Sequence, residues 1–339
     1  MARARRLRMA PRSLAAHDLV RDELDQMQAT LEQLASSDVA LLARACQHVL
    51  DGGGKRIRPT LLALSARAAG GDDYHPDPQC VLLAAAVETV HVASLLHDDV
   101  VDGASMRRGR VSVNAEWGSS ISIFTADYLF SGVFRVLATP DNVELLRPLA
   151  TAVMRMCEAE VLQASSMGDV DVSEDDYRQI IQGKTAALMS TACRIGGMLA
   201  PADDSAVDAL AAYGRDFGMA FQITDDMLDL AGSPHEVGKT LGSDVRAGYF
   251  TLPIIALRDR VGDDARQELR AIMGRGEALT PDDITFVASQ ARAHGALEYA
   301  SGVASEYVEQ ALTHLHALPR TEARMALEDL AKSLLGRRS

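Results

Sequence analysis

The stretch V-L-L-A-A-A-V-E-T-V-H-V-A-S-L-L-H-D-D-V-V-D, residues 81–102, is an apolar segment of helical length that ends in an aspartate cluster. At 3.6 residues per turn, a helix places Asp98 over Asp102. A second cluster with the same spacing, D-D-M-L-D at 225–229, follows the apolar segment 217–223. Like charges one turn apart oppose helix formation, and desolvating several carboxylates costs more still. The two clusters therefore predict a cationic ligand.

The chemistry of the two clusters indicates the kind of cation. Both offer only oxygen ligands, and neither has cysteine or patterned histidine beside it. Oxygen ligands favour a hard ion, and Mg²⁺ usually binds together with phosphate oxygens. A solvated acidic helix face is the alternative explanation for one such cluster. Because the same spacing occurs twice, each time after an apolar segment, we favour metal–phosphate binding.

The composition favours a single helical domain. The chain has 339 residues, 47% hydrophobic and 4% aromatic, with helical periodicity from about residue 14 to 335 and no flexible linker. We expect an all-α domain of about ten helices over residues 13–339. A net charge of −13 argues against nucleic-acid binding. Four cysteines stand far apart, which predicts reduced and mostly buried thiols.

The first twelve residues differ from the rest of the chain. They carry five arginines and no acidic residue. We expect a disordered tail; an organelle-targeting segment and contact with an anionic membrane are the open alternatives. No uninterrupted run of 18 apolar residues occurs, so no transmembrane helix is expected.

A basic turn precedes the first aspartate cluster. The segment G-G-G-K-R-I-R-P, residues 52–59, combines glycines that permit close backbone approach with cations that bind phosphate. A turn that simply faces water is the alternative. The G-K-T segments at 183–185 and 238–240 lack the first glycine of a nucleotide-binding P-loop. Further cations at Arg107, Arg108, Lys184 and Lys239 point to a polyanionic ligand. His91, seven residues before Asp98, lies on the same helix face, and both a structural and a site role stay open.

Six segments together resemble the trans-isoprenyl diphosphate synthases, or polyprenyl synthetases, of the medium- and long-chain type. They are G-G-G-K-R-I-R-P at 52–59, H-V-A-S-L-L-H-D-D-V-V-D at 91–102, M-R-R-G at 106–109, G-K-T-A-A-L at 183–188, F-Q-I-T-D-D-M-L-D at 221–229 and G-K-T-L-G-S-D at 238–244. They stand in the family's order over about 200 residues, and the helical pattern covers nearly the whole chain.

The resemblance implies a fold, a reaction and a set of partners. The fold is an all-α bundle around a central active-site cavity that the two aspartate motifs face, and the assembly is a homodimer. The reaction is the head-to-tail condensation of isopentenyl diphosphate with an allylic diphosphate, farnesyl or geranylgeranyl diphosphate. The cofactor is Mg²⁺, three ions per active site together with substrate. A cytoplasmic location is expected, with peripheral membrane contact for product release left open.

Carried over position by position, the resemblance assigns roles to individual residues. The resemblance assigns to the isopentenyl diphosphate site Lys55, Arg58, His91 and Arg108. It assigns to the allylic diphosphate site Arg107, Lys184, Thr185, Gln222 and Lys239. The catalytic set comprises Asp98, Asp99, Asp102, Asp225, Asp226, Lys184 and Lys239, and the metal ligands are Asp98, Asp102, Asp225 and Asp229. Arg56 is peripheral in the family pattern. The chain departs from that pattern at Tyr249, where lysine is frequent, and at Ala126, where glycine precedes Asp127.

Product length is a steric question in this family. Short-chain synthases typically carry a bulky aromatic residue four or five positions before the first aspartate, where this chain has Ser94 and Ala93. We therefore expect a medium-to-long product, hexaprenyl to decaprenyl, with Phe134 or Phe130 closing the tunnel. A core role for both phenylalanines is the alternative. A short-chain farnesyl or geranylgeranyl diphosphate synthase, a class I terpene cyclase and a subunit of a heteromeric synthase are the competing functions.

Overall fold

The computed structural model describes residues 16–139, 143–232 and 242–336. The predicted tail, residues 1–12, and the candidate ligand Lys239 lie outside the described residues. The described residues are almost entirely helical, and a single two-stranded hairpin is the only sheet among them. The predicted all-α fold is confirmed. The described residues contain sixteen α-helices, more than the ten expected, and two of the sixteen have only five residues.

The elements follow one another along the chain with short connections. The first half contains α1 (Arg21–Leu34), α2 (Ala40–Asp51), α3 (Ile57–Gly70), α4 (Pro78–Val101), β1 (Met106–Arg107), β2 (Arg110–Val111), α5 (Val113–Trp117), α6 (Ser119–Leu137) and α7 (Val143–Ser165). The second half contains α8 (Glu174–Ile181), a π-helical turn (Gln182–Ala186), α9 (Ala187–Leu199), α10 (Asp204–Ala231), α11 (Ser243–Ala247), α12 (Leu252–Arg260), α13 (Asp263–Met273), α14 (Pro281–Ala293), α15 (Ala296–His314) and α16 (Glu322–Leu335), with 3₁₀ turns at Gly276–Ala278 and Leu315–Ala317.

The chain forms two compact units that interleave in sequence. The first unit comprises residues 1–153, 188–214 and 314–333, and the second comprises 154–187, 215–313 and 334–339. Each unit collects segments that are distant in sequence, as expected when long helices share a core. The expectation of one domain over residues 13–339 stays a prediction.

Helix α4 is the core helix of the first unit. Asp77 caps its start, because the side chain accepts hydrogen bonds from the N–H groups of Gln79 and Cys80 at 2.8 and 3.2 Å. Pro78 occupies the first turn, where its missing N–H costs nothing. Helices α1, α3 and α6 pack around α4, which is largely buried from Leu83 to Leu96. This packing fixes the end of α4 that carries the first aspartate motif.

The second unit has its own apolar core, contributed by α8 and α10 to α15. Helix α8 begins with a capping box, in which the Ser173 and Asp176 side chains each accept from the other's backbone N–H. Arg258 on α12 donates to the carbonyls of Val170 and Val172, both at 2.6 Å, and so anchors the segment before α8. These contacts hold α8 and the following π-helical turn in place.

Two helices are long and apolar enough to cross a membrane by length and composition alone, α4 and α6. In α4, 72% of the most apolar 18-residue window is buried inside the protein, as expected of a core helix. In α6 the corresponding share is 39%, because Phe124 and Phe134 are exposed. The cysteines are free thiols, and all but Cys157 are buried, in agreement with the expected reduced state.

Candidate active site

The first aspartate motif occupies the last turn of α4. Asp98 is partly buried, Asp102 is exposed at the helix end, and Asp99 is 3% exposed. Asp99 forms an ion pair with Arg107, whose Nη2 and Nε lie 2.5 and 2.6 Å from Oδ1. The three carboxylates therefore differ in environment. Asp98 and Asp102 retain the one-turn spacing that two ligands of one ion require, whereas Asp99 is bound to a cation of the protein itself.

The hairpin β1–β2 follows directly and carries two of the predicted binding residues. Arg107 pairs with Arg110, which leaves Arg108 and Gly109 as a two-residue loop. Both loop residues have positive φ, 51° and 76°, the signature of a type I′ turn. Arginine is strained in this region, and such strain persists where the surroundings impose it, often at functional sites. Arg56 at φ 47° is the other non-glycine residue with positive φ in the described ranges.

Arg108 docks on the glycine turn that the sequence marked as a phosphate site. Its Nη1 donates a hydrogen bond to the Gly53 carbonyl. A Cβ placed on Gly54 would lie 2.8 Å from the same nitrogen, so only glycine permits this approach. Arg56 is turned the other way, with its Nη1 2.6 Å from Oε1 of the buried Glu88. The peripheral role expected for Arg56 agrees with that pairing.

His91 lies among the cations of this region. Burial, reinforced by the positive charges of Arg58 and Arg108, holds the pKa of His91 well below its ordinary value of 6.5. Smaller contributions of the same sign come from Arg56 and Arg107. The imidazole is therefore neutral at pH 7 and can donate or accept a hydrogen bond. Arg58 and Arg108 thus act electrostatically on His91, while the side chain of Lys55 is exposed at the turn.

The second aspartate motif, in the second unit, is built around Asp226. Its carboxylate is buried and accepts hydrogen bonds from the Tyr177 hydroxyl at 2.6 Å and from Gln222 Nε2 at 2.7 Å. The Gln222 Oε1 accepts from the Thr185 hydroxyl at 2.7 Å. Burial raises the pKa of Asp226 to about 7, and the neighbouring charges of Asp225 and Asp229 act in the same direction. Thr185, Gln222 and Asp226 are thus brought into one hydrogen-bonded network.

Asp229 lies one turn beyond Asp225 and already has partners. Its Oδ1 accepts from the Ser243 hydroxyl at 2.8 Å, and its Oδ2 accepts from the Asp244 N–H at 3.0 Å. These contacts secure the start of α11. Each oxygen keeps lone pairs for a metal ion, and the metal role of Asp229 stays a prediction, as does that of the partly buried Asp225.

Tyr249 stands at a position where lysine is frequent in the family. It follows Gly248, the residue in the αL conformation that ends α11.

Lys184 lies in the π-helical turn between α8 and α9. Such turns insert an extra residue and occur frequently at functional sites. Gly183 lets the turn pack against α7, since a Cβ there would lie 2.8 Å from the Arg155 carbonyl oxygen. The Lys184 ammonium lies 2.9 Å from Glu160 Oε1 and 2.6 Å from Gln163 Oε1. An acid and an amide of α7 therefore orient this lysine.

The residues proposed to set product length lie on α4 and α6. Ala93 is fully buried, whereas Ser94 is partly exposed and donates its hydroxyl to the His91 carbonyl at 2.9 Å. Phe134 is 46% exposed on α6, and Phe130 stacks at a tilt on His97, with 6.0 Å between ring centroids. No aromatic side chain occupies the two α4 positions. The role of Phe134 stays a prediction.

Several positioning residues escaped the sequence argument. Three side chains touch site residues from 21 to 49 positions away: Tyr177, Glu160 and Gln163. Asn114 donates its amide to the carbonyls of Asp99 and Ala104 at the end of α4. Because these residues are distant in sequence from their partners, no local pattern predicts the contacts. Glu160 and Gln163 lie three positions apart on α7, and helical spacing places two such residues on one face; this spacing is a signal that the sequence does offer.

The donor set fits a magnesium site completed by substrate. Among residues 16–139, 143–232 and 242–336, no three His, Cys, Asp or Glu side chains form a metal cage by themselves. Mg²⁺ is typically held by one or two carboxylates together with phosphate oxygens and water rather than by an all-protein cage. Each aspartate motif offers two carboxylates one helical turn apart, which matches that mode of binding.

Comparison with known proteins supports the resemblance. The family model described as "Polyprenyl synthetase" matches residues 39–289. An octaprenyl diphosphate synthase of Escherichia coli is 36% identical over 306 residues, 89% of this chain and 92% of that protein. A short chain isoprenyl diphosphate synthase of Methanothermobacter thermautotrophicus is 34% identical over 311 residues, 90% and 93% of the two chains.

Solved structures agree. A polyprenyl synthase from Caulobacter crescentus, crystallised with calcium and isoprenyl diphosphate, superposes with a TM-score of 0.90 at 34% identity, covering 96% of this chain and 98% of that one. The family match covers well over half of the chain, and the relatives are aligned along almost their full length. The chain belongs to the polyprenyl synthetase family of prenyltransferases.

Proposed function

We propose that this prenyltransferase condenses isopentenyl diphosphate head-to-tail with an allylic diphosphate and releases an all-trans polyprenyl diphosphate of medium-to-long chain. The observation that carries the proposal is the contact of Arg108 with the Gly53 carbonyl, which holds a guanidinium against the glycine turn. The positive charges of Arg58 and Arg108 also act on His91 and favour its neutral form. Two guanidinium groups and an imidazole that can donate suit a diphosphate better than a single carboxylate.

In the first unit, we assign isopentenyl diphosphate to Lys55, Arg58, His91 and Arg108. The Gly52–Gly54 turn allows the ligand to approach the backbone closely, and Arg108 is held against that turn by its bond to Gly53. Arg107 is assigned to the allylic diphosphate by the family pattern. Its ion pair with Asp99 fixes the guanidinium in position before any ligand arrives.

In the second unit, we assign contacts with the allylic diphosphate to Lys184, Thr185 and Gln222. Lys184 supplies a positive charge, and Glu160 and Gln163 orient it. Gln222 and Thr185 are held by the bond network of Asp226. Lys239 completes this set by the family pattern. The lysine ammonium groups and the Gln222 amide would stabilise the negative charge that develops on the departing diphosphate oxygen.

Asp98, Asp102, Asp225 and Asp229 would hold Mg²⁺, three ions with substrate, and the bound metal would act as a Lewis acid toward the leaving diphosphate. The carbon–oxygen bond of the allylic diphosphate breaks, and its electron pair leaves with the diphosphate. The double bond of isopentenyl diphosphate supplies the electrons for the new carbon–carbon bond. A proton then passes from the isopentenyl unit to the released diphosphate.

We propose farnesyl or geranylgeranyl diphosphate as primer and a hexaprenyl to decaprenyl product. Small side chains at Ala93 and Ser94 support a long tunnel, and one relative at 36% identity is an octaprenyl diphosphate synthase. The short-chain relative of M. thermautotrophicus favours the second candidate, a farnesyl or geranylgeranyl diphosphate synthase.

We further propose a homodimer in the cytoplasm. Helix α6 exposes Ile123, Phe124 and Phe134, and an apolar face of this kind favours burial against a second copy. Light scattering on the purified chain tests the proposal, and Phe124→Glu is expected to shift it toward the monomer. A monomeric wild-type chain would refute it.

The first experiment on activity is a product assay with Mg²⁺, isopentenyl diphosphate and farnesyl diphosphate, resolved by chain length. A ladder that ends at six or more isoprene units supports both the reaction and the open tunnel. Products that stop at four units would leave the reaction intact and replace the long-chain proposal by the short-chain one. Absence of condensation with every allylic primer would refute the proposed reaction for this chain acting alone.

A further inference from the structure

The β1–β2 hairpin carries Arg107 and Arg108, and a cavity lies beside it. Residues of α2, α4, the hairpin and the start of α5 line this cavity, among them Val49, Leu95, Arg108 and Val113. A two-stranded hairpin is marginally stable by itself. Polar contacts with neighbouring elements therefore contribute to holding the two arginines in position.

These contacts come from two directions. On the α4 side, Arg107 binds Asp99, and the Ser112 hydroxyl donates to the Ala104 carbonyl at 2.6 Å. On the α2 side, Arg108 reaches Gly53, and His48 reaches strand β2. The His48 Nε2 lies 2.7 Å from the Val111 carbonyl oxygen, across 63 positions of sequence. His48 thus ties the far strand of the hairpin to α2, the helix that leads into the glycine turn.

The neighbours of His48 determine its tautomer. A carbonyl oxygen only accepts, so Nε2 carries the proton and donates to Val111. The other ring nitrogen, Nδ1, faces the Arg110 Nη2 at 3.4 Å, and a guanidinium only donates. The ring also meets the Trp117 indole edge to face, with 5.2 Å between ring centroids and 86° between planes. The ring of His48 therefore contacts three neighbours, and these contacts fix its orientation.

We propose that His48 is a positioning residue for isopentenyl diphosphate: it holds the β1–β2 hairpin so that Arg108 stays against the glycine turn. His48 itself touches neither the predicted ligands nor the aspartates. The kinetic part of the inference rests on the proposed function, which places Arg108 in the isopentenyl diphosphate site. The structural part, that His48 orders the hairpin, stands without it.

Four variants separate the hydrogen bond from ring packing. His48→Gln keeps a donor for Val111, His48→Phe keeps a ring against Trp117 without the donor, and His48→Ala removes both. His75→Ala is the matched control, because His75 is an exposed histidine of the same unit. Amide hydrogen exchange over residues 104–112 without substrate measures hairpin order, and steady-state kinetics measures KM for each substrate and kcat.

Losing one hydrogen bond is expected to speed amide exchange in the hairpin and to raise KM for isopentenyl diphosphate, each by roughly five- to tenfold. This is expected for His48→Ala and His48→Phe, with kcat and the KM of the primer changed by less than about threefold. His48→Gln and His75→Ala should match the wild type. Should His48→Ala fail to fold, the comparison of His48→Phe with His48→Gln carries the test.

Two results would overturn the proposal. One is wild-type exchange and wild-type KM in His48→Phe, which would leave the donor without a role. The other is equal impairment in His48→Gln and His48→Phe, which would assign the effect to packing on Trp117. A wild-type chain that performs no condensation would contradict the proposed function instead, and the exchange measurement would still decide the role of His48 in the hairpin.

Discussion

The Arg107 guanidinium and the Asp99 carboxylate form an ion pair at the end of α4, with Nη2 2.5 Å from Oδ1. Asp99 is 3% exposed, so this pair neutralises the middle charge of the first aspartate motif and places Arg107 at the same time. The motif therefore contains two kinds of aspartate. Asp98 and Asp102 are accessible to a metal ion, whereas Asp99 joins the motif to the hairpin.

Replacing Asp99 should affect stability, and replacing Asp102 should affect activity. Asp99→Asn removes one partner of a buried pair and is expected to cost about 2–3 kcal/mol of unfolding free energy. Asp102→Asn removes a negative charge from an exposed side chain at the carboxyl end of α4, so stability should change by less than about 0.5 kcal/mol or rise slightly. Its kcat should fall at least about a hundredfold. Urea unfolding and initial rates measure both effects; equal stability losses would contradict the distinction.

The glycine turn offers a matched pair of substitutions. Gly53→Ala and Gly54→Ala both place a Cβ on a residue with positive φ, at 62° and 155°. A Cβ on Gly54 would lie 2.8 Å from Arg108 Nη1, whereas a Cβ on Gly53 meets nothing within 4 Å. Gly54→Ala should therefore raise KM for isopentenyl diphosphate by roughly tenfold more than Gly53→Ala does. Similar KM values in the two variants would argue against Arg108 as a ligand of that substrate.

Removing the Tyr177 hydroxyl should weaken substrate binding at the second aspartate motif, because that hydroxyl donates to Asp226. Tyr177→Phe removes the hydroxyl donor and leaves a buried carboxyl oxygen short of one bond, at a cost of about 1–2 kcal/mol. We expect a higher KM for the allylic primer and a higher Mg²⁺ requirement, because Asp226, the partner that holds Gln222, loses one of its own hydrogen bonds. Tyr299→Phe is the control, since its hydroxyl donates to Glu174 at 2.8 Å, away from the motif. A primer KM equal in both variants would show that Tyr177 contributes stability alone.

The environments of Ala93 and Ser94 differ, which sharpens the product-length prediction. Ser94 is partly exposed, so Ser94→Phe should fold and shorten the product by several isoprene units. Ala93 is fully buried, and Ala93→Phe should lose about 1–3 kcal/mol by overpacking. Chromatography of the dephosphorylated products measures chain length. A product of unchanged length in Ser94→Phe would show that this face of α4 does not line the tunnel.

Phe134→Ala tests the other end of the same hypothesis. A longer product is expected if Phe134 closes the tunnel. Because Phe134 is 46% exposed on α6, its removal should cost little stability, so the length of the product can be measured on folded protein. Unchanged chain length would remove Phe134 from the set of length-determining residues.

His91 predicts a pH dependence of stability. Its pKa is depressed in the folded protein by burial and by the nearby arginines, so the unfolded chain binds the proton more readily. The unfolding free energy contributed by His91 is therefore present above about pH 6.5 and is lost as the pH falls below that value. His91→Gln should make the loss between about pH 6.5 and pH 5.5 shallower, as measured by urea midpoints. His17, whose pKa is also lowered by burial, is present in both proteins, so parallel curves would contradict the prediction.

The sequence by itself determined the features that depend on local spacing. Apolar residues at helical intervals specify α4 and the other long helices, the capping box specifies the start of α8, and the i,i+4 aspartates specify paired carboxylates on one helix face. These patterns repeat within one or two turns. A chain read residue by residue therefore reveals them, along with the basic glycine turn and the family.

Only the tertiary structure decided which polar groups have partners. Asp99 and Asp102 belong to one motif, yet the fold buries Asp99 against Arg107 and leaves Asp102 exposed. Tyr177 meets Asp226 across 49 positions, and His48 meets Val111 across 63. A buried polar group must find a hydrogen-bond partner wherever the fold places one. The partner's identity depends on packing between distant elements, and no local pattern encodes it.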